Sequence, residues 1–321
     1  MKTFPRKACI WSNSVKDLKE AYPGQNQKLK NPKKAMTNKK IGLIAGGGAY
    51  PIFFAREAKK LGYDVFIIGL QGITPKQIEF YAKEIKYFKL GKINSPLKFL
   101  KDNGVDQVLM AGNVPHVSIF GGNISPDLRA TKLLFRLKDK KANSILGAIV
   151  DELKKDGLEL INSATFLDHL LPKRGVLTSI KPNKKQDKDI NFGWKVAKIM
   201  ADMDIGLTVV IRDKTVVAVE AMEGTDNCIL RAGNVFNKIN SDKNHPKKHM
   251  VVVKVARPNQ DMRFDLPVIG IKTLEIMRDA GANVLAIESR KTLILEKELF
   301  IKKANEFNIA VQAINPADML F

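Results

Sequence analysis

The sequence is poor in cysteine and in long apolar runs, and both features restrict the class of protein. The only cysteines among its 321 residues are Cys9 and Cys228, too few and too far apart for a disulfide framework. This usage is typical of a reducing compartment. No apolar run approaches the ~20 residues that span a bilayer, and no apolar segment follows the basic N-terminus as in a secretory signal. We therefore expect a cytoplasmic chain, long enough for two domains.

Aromatic residues are also scarce, at 7% of the chain, although the net charge is +21. Clustered cations favour binding to nucleic acid or attraction to anionic lipid. Zinc-finger spacing, basic heptads and an RNP-like aromatic motif are absent. A lysine-rich, solvated surface accounts for the charge equally well. A basic nucleic-acid-binding protein therefore stays open as an alternative function, although we expect no nucleic-acid partner.

Much of the positive charge lies in residues 1–40, which contain eleven lysines and arginines against two acidic residues. Met36, shortly before the first apolar run, resembles a protein start. We expect residues 1–40 to form a basic, disordered extension outside the folded domains.

Beyond this segment, short apolar runs alternate with helical patterns. Strands are predicted at 41–45, 65–68, 87–90 and 107–110, and helices at 52–61, 75–85 and 96–102. Such alternation favours a parallel α/β sheet covered on both faces. A helical stretch at 126–156 follows, and a polar segment near 160–190 is the predicted crossing between domains. The boundaries are 41–162 for the first domain and 163–321 for the second.

The second half combines strands at 207–211, 215–221, 250–255, 284–287 and 310–313 with helices near 190–203, 271–280 and 297–307. Asp213 and Lys214 form a predicted hairpin turn. This mixture of a hairpin with strand–helix alternation predicts a separate, mixed α/β domain.

A glycine turn, Gly46-Gly47-Gly48, lies between the first strand and the first helix. Glycine amides at a helix start can approach a phosphate closely. As a dinucleotide fingerprint the turn fails, because Pro51 stands where a third glycine belongs and no acid follows the second strand. A Rossmann-type oxidoreductase stays a weaker alternative. Gly112 and Asn113 follow the fourth strand, at the sheet edge where α/β proteins bind ligands, but a turn-forming pair explains them equally well.

Three acids stand at a predicted strand-to-helix turn: Glu220, Glu223 and Asp226. A helix N-terminus stabilises an ionised carboxylate, and Mg²⁺ prefers carboxylate oxygens. The spacing fits a metal site or a general base, and it fits a capping motif with Thr225 near the cap equally well. Arg174 and Arg263 are candidate phosphate ligands, because arginine binds phosphate in bidentate fashion. Each also fits an ordinary surface cation.

Together these segments resemble one family, the UDP-2,3-diacylglucosamine pyrophosphatases of DUF1009 type. The matching motifs are IGLIAGGG at 41–48, AGNV at 111–114, LPKRG at 171–175, VEAMEGTD at 219–226 and RFDLPVIG at 263–270. They occur in the family's order over about 41–315. EGTD is the most specific of them.

The resemblance implies a Rossmann-like N-terminal domain, a distinct catalytic C-terminal domain and Asp226 as the essential aspartate. It implies Mg²⁺-dependent hydrolysis of UDP-2,3-diacylglucosamine to UMP and 2,3-diacylglucosamine 1-phosphate, a step of lipid A biosynthesis. On this reading Asp226, Glu220 and Glu223 are metal-ligand candidates. Gly46, Gly47, Gly48, Gly112, Asn113, Arg174, Thr225 and Arg263 are substrate-binding candidates. Because the substrate and product carry two acyl chains, we also expect transient peripheral contact with the inner face of the inner membrane. The sequence does not indicate an oligomeric state.

Overall fold

The N-terminal half is built on a five-stranded parallel sheet in the order β3-β2-β1-β4-β5. The computed structural model describes residues 39–114, 124–137, 142–239, 249–258, 261–263 and 266–319. The strands are β1 Lys39–Ala45, β2 Tyr63–Leu70, β3 Glu84–Phe88, β4 Gln107–Ala111 and β5 Glu159–Leu160. The central strands are almost wholly apolar, as both-face burial requires. The predicted parallel α/β sheet is confirmed.

Among the described residues this half has four α-helices: α1 Tyr50–Lys60, α2 Asn94–Asp102, α3 Leu128–Arg136 and α4 Ala142–Lys155. Pro51 lies in the first turn of α1, where its missing N–H costs nothing. Asp127 caps α3 by accepting a hydrogen bond from the Ala130 N–H at 2.8 Å. The apolar faces of α1 and α2 pack in clusters with opposite faces of the sheet.

The C-terminal half has a mixed six-stranded sheet in the order β6-β13-β11-β9-β7-β8. Its strands are β6 Gly175–Val176, β7 Thr208–Arg212, β8 Thr215–Val219, β9 Met250–Lys254, β11 Ala282–Glu288 and β13 Ala310–Ile314, and a separate parallel pair joins β10 Val268–Ile269 to β12 Leu293–Ile294. Strands β9, β11 and β13 run parallel, whereas β7 and β8 form the predicted hairpin. Asp213 and Lys214 adopt left-handed conformations at its turn, with φ of 51° and 55°. The expected mixed α/β structure of the C-terminal half is therefore confirmed.

In the described part of this half, four helices cover the sheet: α5 Lys184–Asp202, α6 Gly224–Ile239, α7 Ile271–Ala280 and α8 Lys297–Glu306. A capping box of Asn183 and Gln186 starts α5, and Gly281, at φ 82°, ends α7. Helices α6 and α7 pack directly on each other, because Gly233 lets the backbone of Ala280 approach closely.

One apolar cluster contains residues from both halves. Ile41 and Phe54 belong to it, and so do Leu266, Leu293 and Leu295. Ala164, Leu167 and Leu170, which the boundary at 162/163 assigns to the C-terminal domain, pack in this same cluster. Ser163 adds polar links, because its N–H and hydroxyl donate to the carbonyl of Met262 and its own carbonyl accepts from the Tyr50 hydroxyl.

The structure differs from two sequence predictions about secondary structure. The helix expected at 75–85 is a short 3₁₀ helix, Lys76–Tyr81, followed by β3 at Glu84–Phe88. Pairing of β3 with β2 is a tertiary contact that local pattern does not contain. The helical stretch at 126–156 is divided into α3 and α4.

The expected extension at 1–40 lies outside the described residues, apart from Lys39 and Lys40. These two residues open β1, so the ordered chain begins before the predicted boundary.

Candidate active site

The carboxylate of Asp226 lies in the first turn of α6, directly after the β7–β8 hairpin. Gly224 begins the helix at φ 81°, a conformation that favours glycine. The Asp226 side chain is 34% exposed, and its Oδ2 lies 3.0 Å from the ammonium of Lys272. A helix N-terminus and a neighbouring ammonium group both attract anionic ligands. Asp226 is therefore placed to act on a bound ligand.

Lys272 belongs to the first turn of α7, which follows the RFDLPVIG segment. The ion pair thus joins the EGTD motif to the helix that follows RFDLPVIG, at the starts of α6 and α7. The sequence had offered no reason to select Lys272, because exposed lysines are numerous in this chain.

The two glutamates of the predicted acidic cluster have other partners. Glu223 accepts from Arg231 at 2.7 Å and from the Ala221 N–H at 3.1 Å, and the Arg231 contact holds the pKa of Glu223 below its usual value. Glu220 accepts from the Thr225 hydroxyl at 3.0 Å, while its second oxygen is buried and makes no hydrogen bond within the described residues.

The three acids therefore do not form a preassembled metal site. Across the described ranges, no group of three or more His, Cys, Asp or Glu side chains is placed to hold a metal ion. The side chain of Asp226 is 34% exposed, and that of its partner Lys272 is 75% exposed. Because Mg²⁺ commonly uses one or two carboxylates, water and substrate phosphates, Asp226 alone fits such an ion only together with a bound phosphate.

A polar network centred on Thr225 lies directly beside Asp226. The ammonium of Lys254 donates to the Thr225 hydroxyl at 2.6 Å and lies 3.5 Å from the hydroxyl of Thr208. Lys254 is only 6% exposed, which is rare for lysine. It ends the apolar strand β9, next to Ile287 of β11 and Thr208 of β7. A buried ammonium therefore stands at the carboxyl end of the central strand.

Sequence reasoning missed Lys254, although a signal existed. The run MVVVKV at 250–255 is apolar except for this one charge. A lysine at the end of a buried strand needs a polar partner or a function.

The two predicted loops of the N-terminal sheet meet each other. Gly47 and Asn113 form an isolated antiparallel bridge, in which the Gly47 N–H donates to the Asn113 carbonyl at 2.7 Å and the Asn113 N–H returns the bond at 3.2 Å. Gly46 must be glycine, because a Cβ there would lie 2.8 Å from the Asn113 carbonyl oxygen. Gly112 has φ 94°, and a Cβ there would lie 2.6 Å from the Gly47 carbonyl oxygen. The structure thus brings Gly46, Gly47, Gly48, Gly112 and Asn113 together.

This packing changes the interpretation of the glycine turn. The amide of Gly46 donates to the Ala111 carbonyl at 2.8 Å, and that of Gly47 is used by Asn113. Two of the three amides expected to face a phosphate are therefore already bonded to backbone. The Asn113 side chain stays close to the turn, since its Oδ1 lies 3.6 Å from a Cβ built on Gly48. Gly48 and Asn113 are the members of this set best placed for a ligand.

The two candidate arginines each have an acidic neighbour. Arg174 is 68% exposed and lies 2.8 Å from Asp318. Arg263 makes a bidentate contact with Asp261, at 2.6 and 2.9 Å. Asp265, another acid in the RFDLPVIG segment, lies outside the described residues. A phosphate bound to either arginine would therefore lie close to the carboxylate that already contacts that arginine.

Across the residues that the structure describes, no helix is long and apolar enough to cross a membrane.

Comparison with known proteins gives matches to both halves. Residues 40–170 match the family model described as the LpxI N-terminal domain, and residues 173–312 match the LpxI C-terminal domain. The UDP-2,3-diacylglucosamine pyrophosphatase LpxI of Caulobacter vibrioides is 29% identical over 284 residues, which cover 87% of this chain and 99% of the relative.

Solved structures match far less closely. N5-carboxyaminoimidazole synthetase from Staphylococcus aureus is 13% identical over 54% of this chain and 38% of its own, with a TM-score of 0.25. Phosphoribosylglycinamide synthetase from Anaerococcus prevotii is 13% identical over 64% of this chain and 43% of its own, with a TM-score of 0.23. Scores this low support no argument about the site.

Proposed function

Because this chain belongs to the LpxI family, matching both of its domain models in order, we propose that it hydrolyses the pyrophosphate bond of UDP-2,3-diacylglucosamine. It is on this basis a hydrolase of lipid A biosynthesis. The products are UMP and 2,3-diacylglucosamine 1-phosphate. Water adds to one phosphorus, the bond from that phosphorus to the bridging oxygen breaks, and the bridging oxygen leaves on the other phosphate.

The position of Asp226 is the observation that carries this proposal. A one-third-exposed carboxylate at a helix N-terminus can orient a water molecule and accept its proton as the new P–O bond forms. The ammonium group of Lys272 lies 3.0 Å from Asp226 and that of Lys254 lies 2.6 Å from the neighbouring Thr225, and both offset negative charge that develops on the phosphate oxygens. Thr225, held by Lys254, fixes the first turn of α6 and with it the Asp226 backbone.

Mg²⁺ is part of the proposal. Asp226 would hold the ion together with phosphate oxygens of the substrate, since the glutamates nearby are bonded to Thr225 and Arg231. The ion would supply charge neutralisation at the pyrophosphate.

The test is UMP release from UDP-2,3-diacylglucosamine in detergent by wild type and Asp226→Asn, with Mg²⁺ or with EDTA. Asparagine keeps the shape of the side chain and removes its charge. We expect the variant to lose at least 100-fold in kcat, as removal of a general base does, and EDTA to silence the wild type. Asp279→Asn, at an exposed position of α7, is the matched control and should keep full activity.

Each other outcome has a definite meaning. Equal UMP release by wild type and Asp226→Asn, both folded by circular dichroism, would remove Asp226 from the mechanism. Full activity in EDTA would exclude the metal. No UMP from the wild type would reject the proposed substrate.

We also propose that the enzyme contacts the membrane surface from the cytoplasmic side, where an acylated substrate resides. Helix α5 supports this, because Ile199 and Met203 are 62% and 64% exposed near its C-terminal end and Lys195 lies one turn before Ile199. Apolar side chains beside lysines suit an anionic bilayer. Cosedimentation with anionic vesicles should exceed that with neutral vesicles and should weaken in Ile199→Glu. Binding that ignores both lipid charge and this substitution would contradict the proposal.

A further inference from the structure

A basic pocket lies at the carboxyl edge of the C-terminal sheet, and none of the three acids of the predicted acidic cluster lines it. It follows the last residues of β11 and β13, Glu288 and Ile314. The cavity has a volume of about 470 Å³ and is lined by Arg174, Met262, Ser289, Arg290, Lys291 and Asn315. We call it the Arg290 pocket. Open α/β sheets bind ligands at the carboxyl ends of their parallel strands, which is where this pocket lies.

The charge around the Arg290 pocket is positive even after its ion pairs are counted. Arg174 is paired with Asp318 at 2.8 Å. Lys291 lies 3.1 Å from Glu288, which also binds Lys198 at 2.6 Å. Three cations, Arg174, Arg290 and Lys291, therefore line the cavity, against the two carboxylates of Asp318 and Glu288 outside its lining. No acidic side chain is among the described residues that line the cavity itself.

Arg290 is the cation with no partner of its own. Within the described part of the chain, no hydrogen bond or ion pair engages its guanidinium, and the residue is exposed. Its backbone is nevertheless fixed: φ is 56°, and its N–H donates to the Pro172 carbonyl at 2.9 Å. The Pro172 contact therefore accompanies a left-handed backbone at Arg290, a conformation that few arginines adopt.

The hydrogen bond between Arg290 and Pro172 joins two segments that are far apart in the sequence. Pro172 belongs to the LPKRG segment, which also supplies Arg174 to the pocket. The segment 289–291 was not selected in the sequence. Arg290 and Arg174 of the LPKRG motif thus line the same cavity. Two arginines in one cavity are suited to bidentate binding of a phosphate.

We propose that the Arg290 pocket binds a phosphate group of the nucleotide-sugar substrate, with Arg290 as the principal ligand; this assignment rests on the proposed function. Neighbouring strands in a sheet are about 4.8 Å apart. The pocket, at β11 and β13, is therefore roughly 5–10 Å along the same edge from Lys254 on β9. A nucleotide sugar is long enough to reach from one to the other.

The test measures anion binding without turnover. Titration calorimetry with UMP and with inorganic pyrophosphate is run on wild type, Arg290→Gln and Arg136→Gln. Arg136 is a matched control, because it is an exposed arginine on α3 in the other half of the protein. We expect Arg290→Gln to bind both probes about tenfold more weakly, as loss of a charge-assisted hydrogen bond predicts. Arg136→Gln should bind as the wild type does.

Several outcomes would overturn this proposal. Equal affinities in wild type and Arg290→Gln would do so, and so would a wild type that binds neither probe. Loss of binding to phosphatidylglycerol vesicles in Arg290→Gln with unchanged UMP affinity would assign the pocket to lipid headgroups instead. If UMP binding responds as expected but UDP-2,3-diacylglucosamine is not hydrolysed, the phosphate site stands and the proposed reaction fails.

Discussion

The ammonium of Lys254 donates to the hydroxyl of Thr225 at 2.6 Å, one residue before Asp226. Through this contact the end of β9, in the middle of the sheet, holds the first turn of α6. The Thr225 hydroxyl in turn donates to the Glu220 carboxylate at 3.0 Å, so two hydrogen bonds hold the turn. The position of the reactive carboxylate therefore depends on a buried lysine that belongs to none of the recognised motifs.

Lys254→Met should lower kcat by tenfold or more, with a smaller change in KM, because Asp226 loses the support of its helix start. Methionine has a similar length and suits a buried site. The measurement is steady-state UMP release, with folding checked by thermal denaturation. Lys302→Met, at an exposed position on α8, is the control. A folded Lys254→Met enzyme with unchanged kcat would show that the network is only structural.

Gly233→Ala should destabilise the protein by about 1–3 kcal/mol, the usual cost of overpacking. A Cβ at this position would lie 2.7 Å from the Cα of Ala280, so α6 and α7 would be pushed apart. Gly147→Ala is the matched control: it lies within α4, where a Cβ meets nothing within 4 Å. That change should stabilise by about 0.5–1 kcal/mol. Urea denaturation of both variants checks the opposite signs.

Glu288→Gln should lower the free energy of unfolding by about 3 kcal/mol or more, because Lys198 would lose its buried carboxylate partner. The Glu288 side chain is fully buried and that of Lys198 is 13% exposed. The double variant Lys198→Met/Glu288→Leu removes both charges and should recover much of the loss. Lys198→Met and Glu288→Leu are also measured singly. If the double variant loses as much free energy of unfolding as these two changes together, the ion pair is not the cause.

Asp127 should make stability depend on pH in the acid range. Burial raises the pKa of Asp127, but the backbone N–H groups of Ala130, Asn94 and Ile93 donate to its carboxylate and bring the pKa below its usual 3.8. A depressed folded-state pKa adds stability above the unfolded pKa, and this stability is lost as pH falls through the folded value. Asp127→Asn should therefore cost about 1–2 kcal/mol at neutral pH.

The cost of Asp127→Asn should shrink below about pH 4, where the wild-type carboxylate takes up its proton. Urea denaturation at pH 7, 5 and 3.5 measures the difference between the two proteins. A difference that stays constant over this range would mean that the cap works through shape and not through charge.

Local patterns predicted most of the fold. Each strand from β1 to β4 except β3 begins within two residues of its predicted position, because apolar runs between turn residues leave few alternatives. β3 was misplaced because its side chains are only partly buried and its pairing with β2 decides its structure. The mixed C-terminal sheet followed from the same reasoning, with the Asp213-Lys214 turn marking the hairpin.

The candidate site was predictable only in part. The EGTD motif identified Asp226 and its helix start, and the glycine turn and Asn113 do meet. The Gly47–Asn113 bridge decides which amides of the glycine turn remain available for a ligand. The sequence does not reveal it, because the two residues are 66 positions apart. Lys272 and Arg290 could not be selected, because their significance comes from distant neighbours and not from their own surroundings in the chain.

The shared apolar cluster has a consequence for how this gene can be divided. Leu266, Leu293 and Leu295 lie more than 100 residues beyond the last strand of the N-terminal sheet, and yet they pack in one core with Ile41 and Phe54. A fragment that ended at the boundary between the two family models would expose that core to water and would be prone to aggregate. The two halves match separate family models, but because they share this core they have to be expressed and purified as one chain.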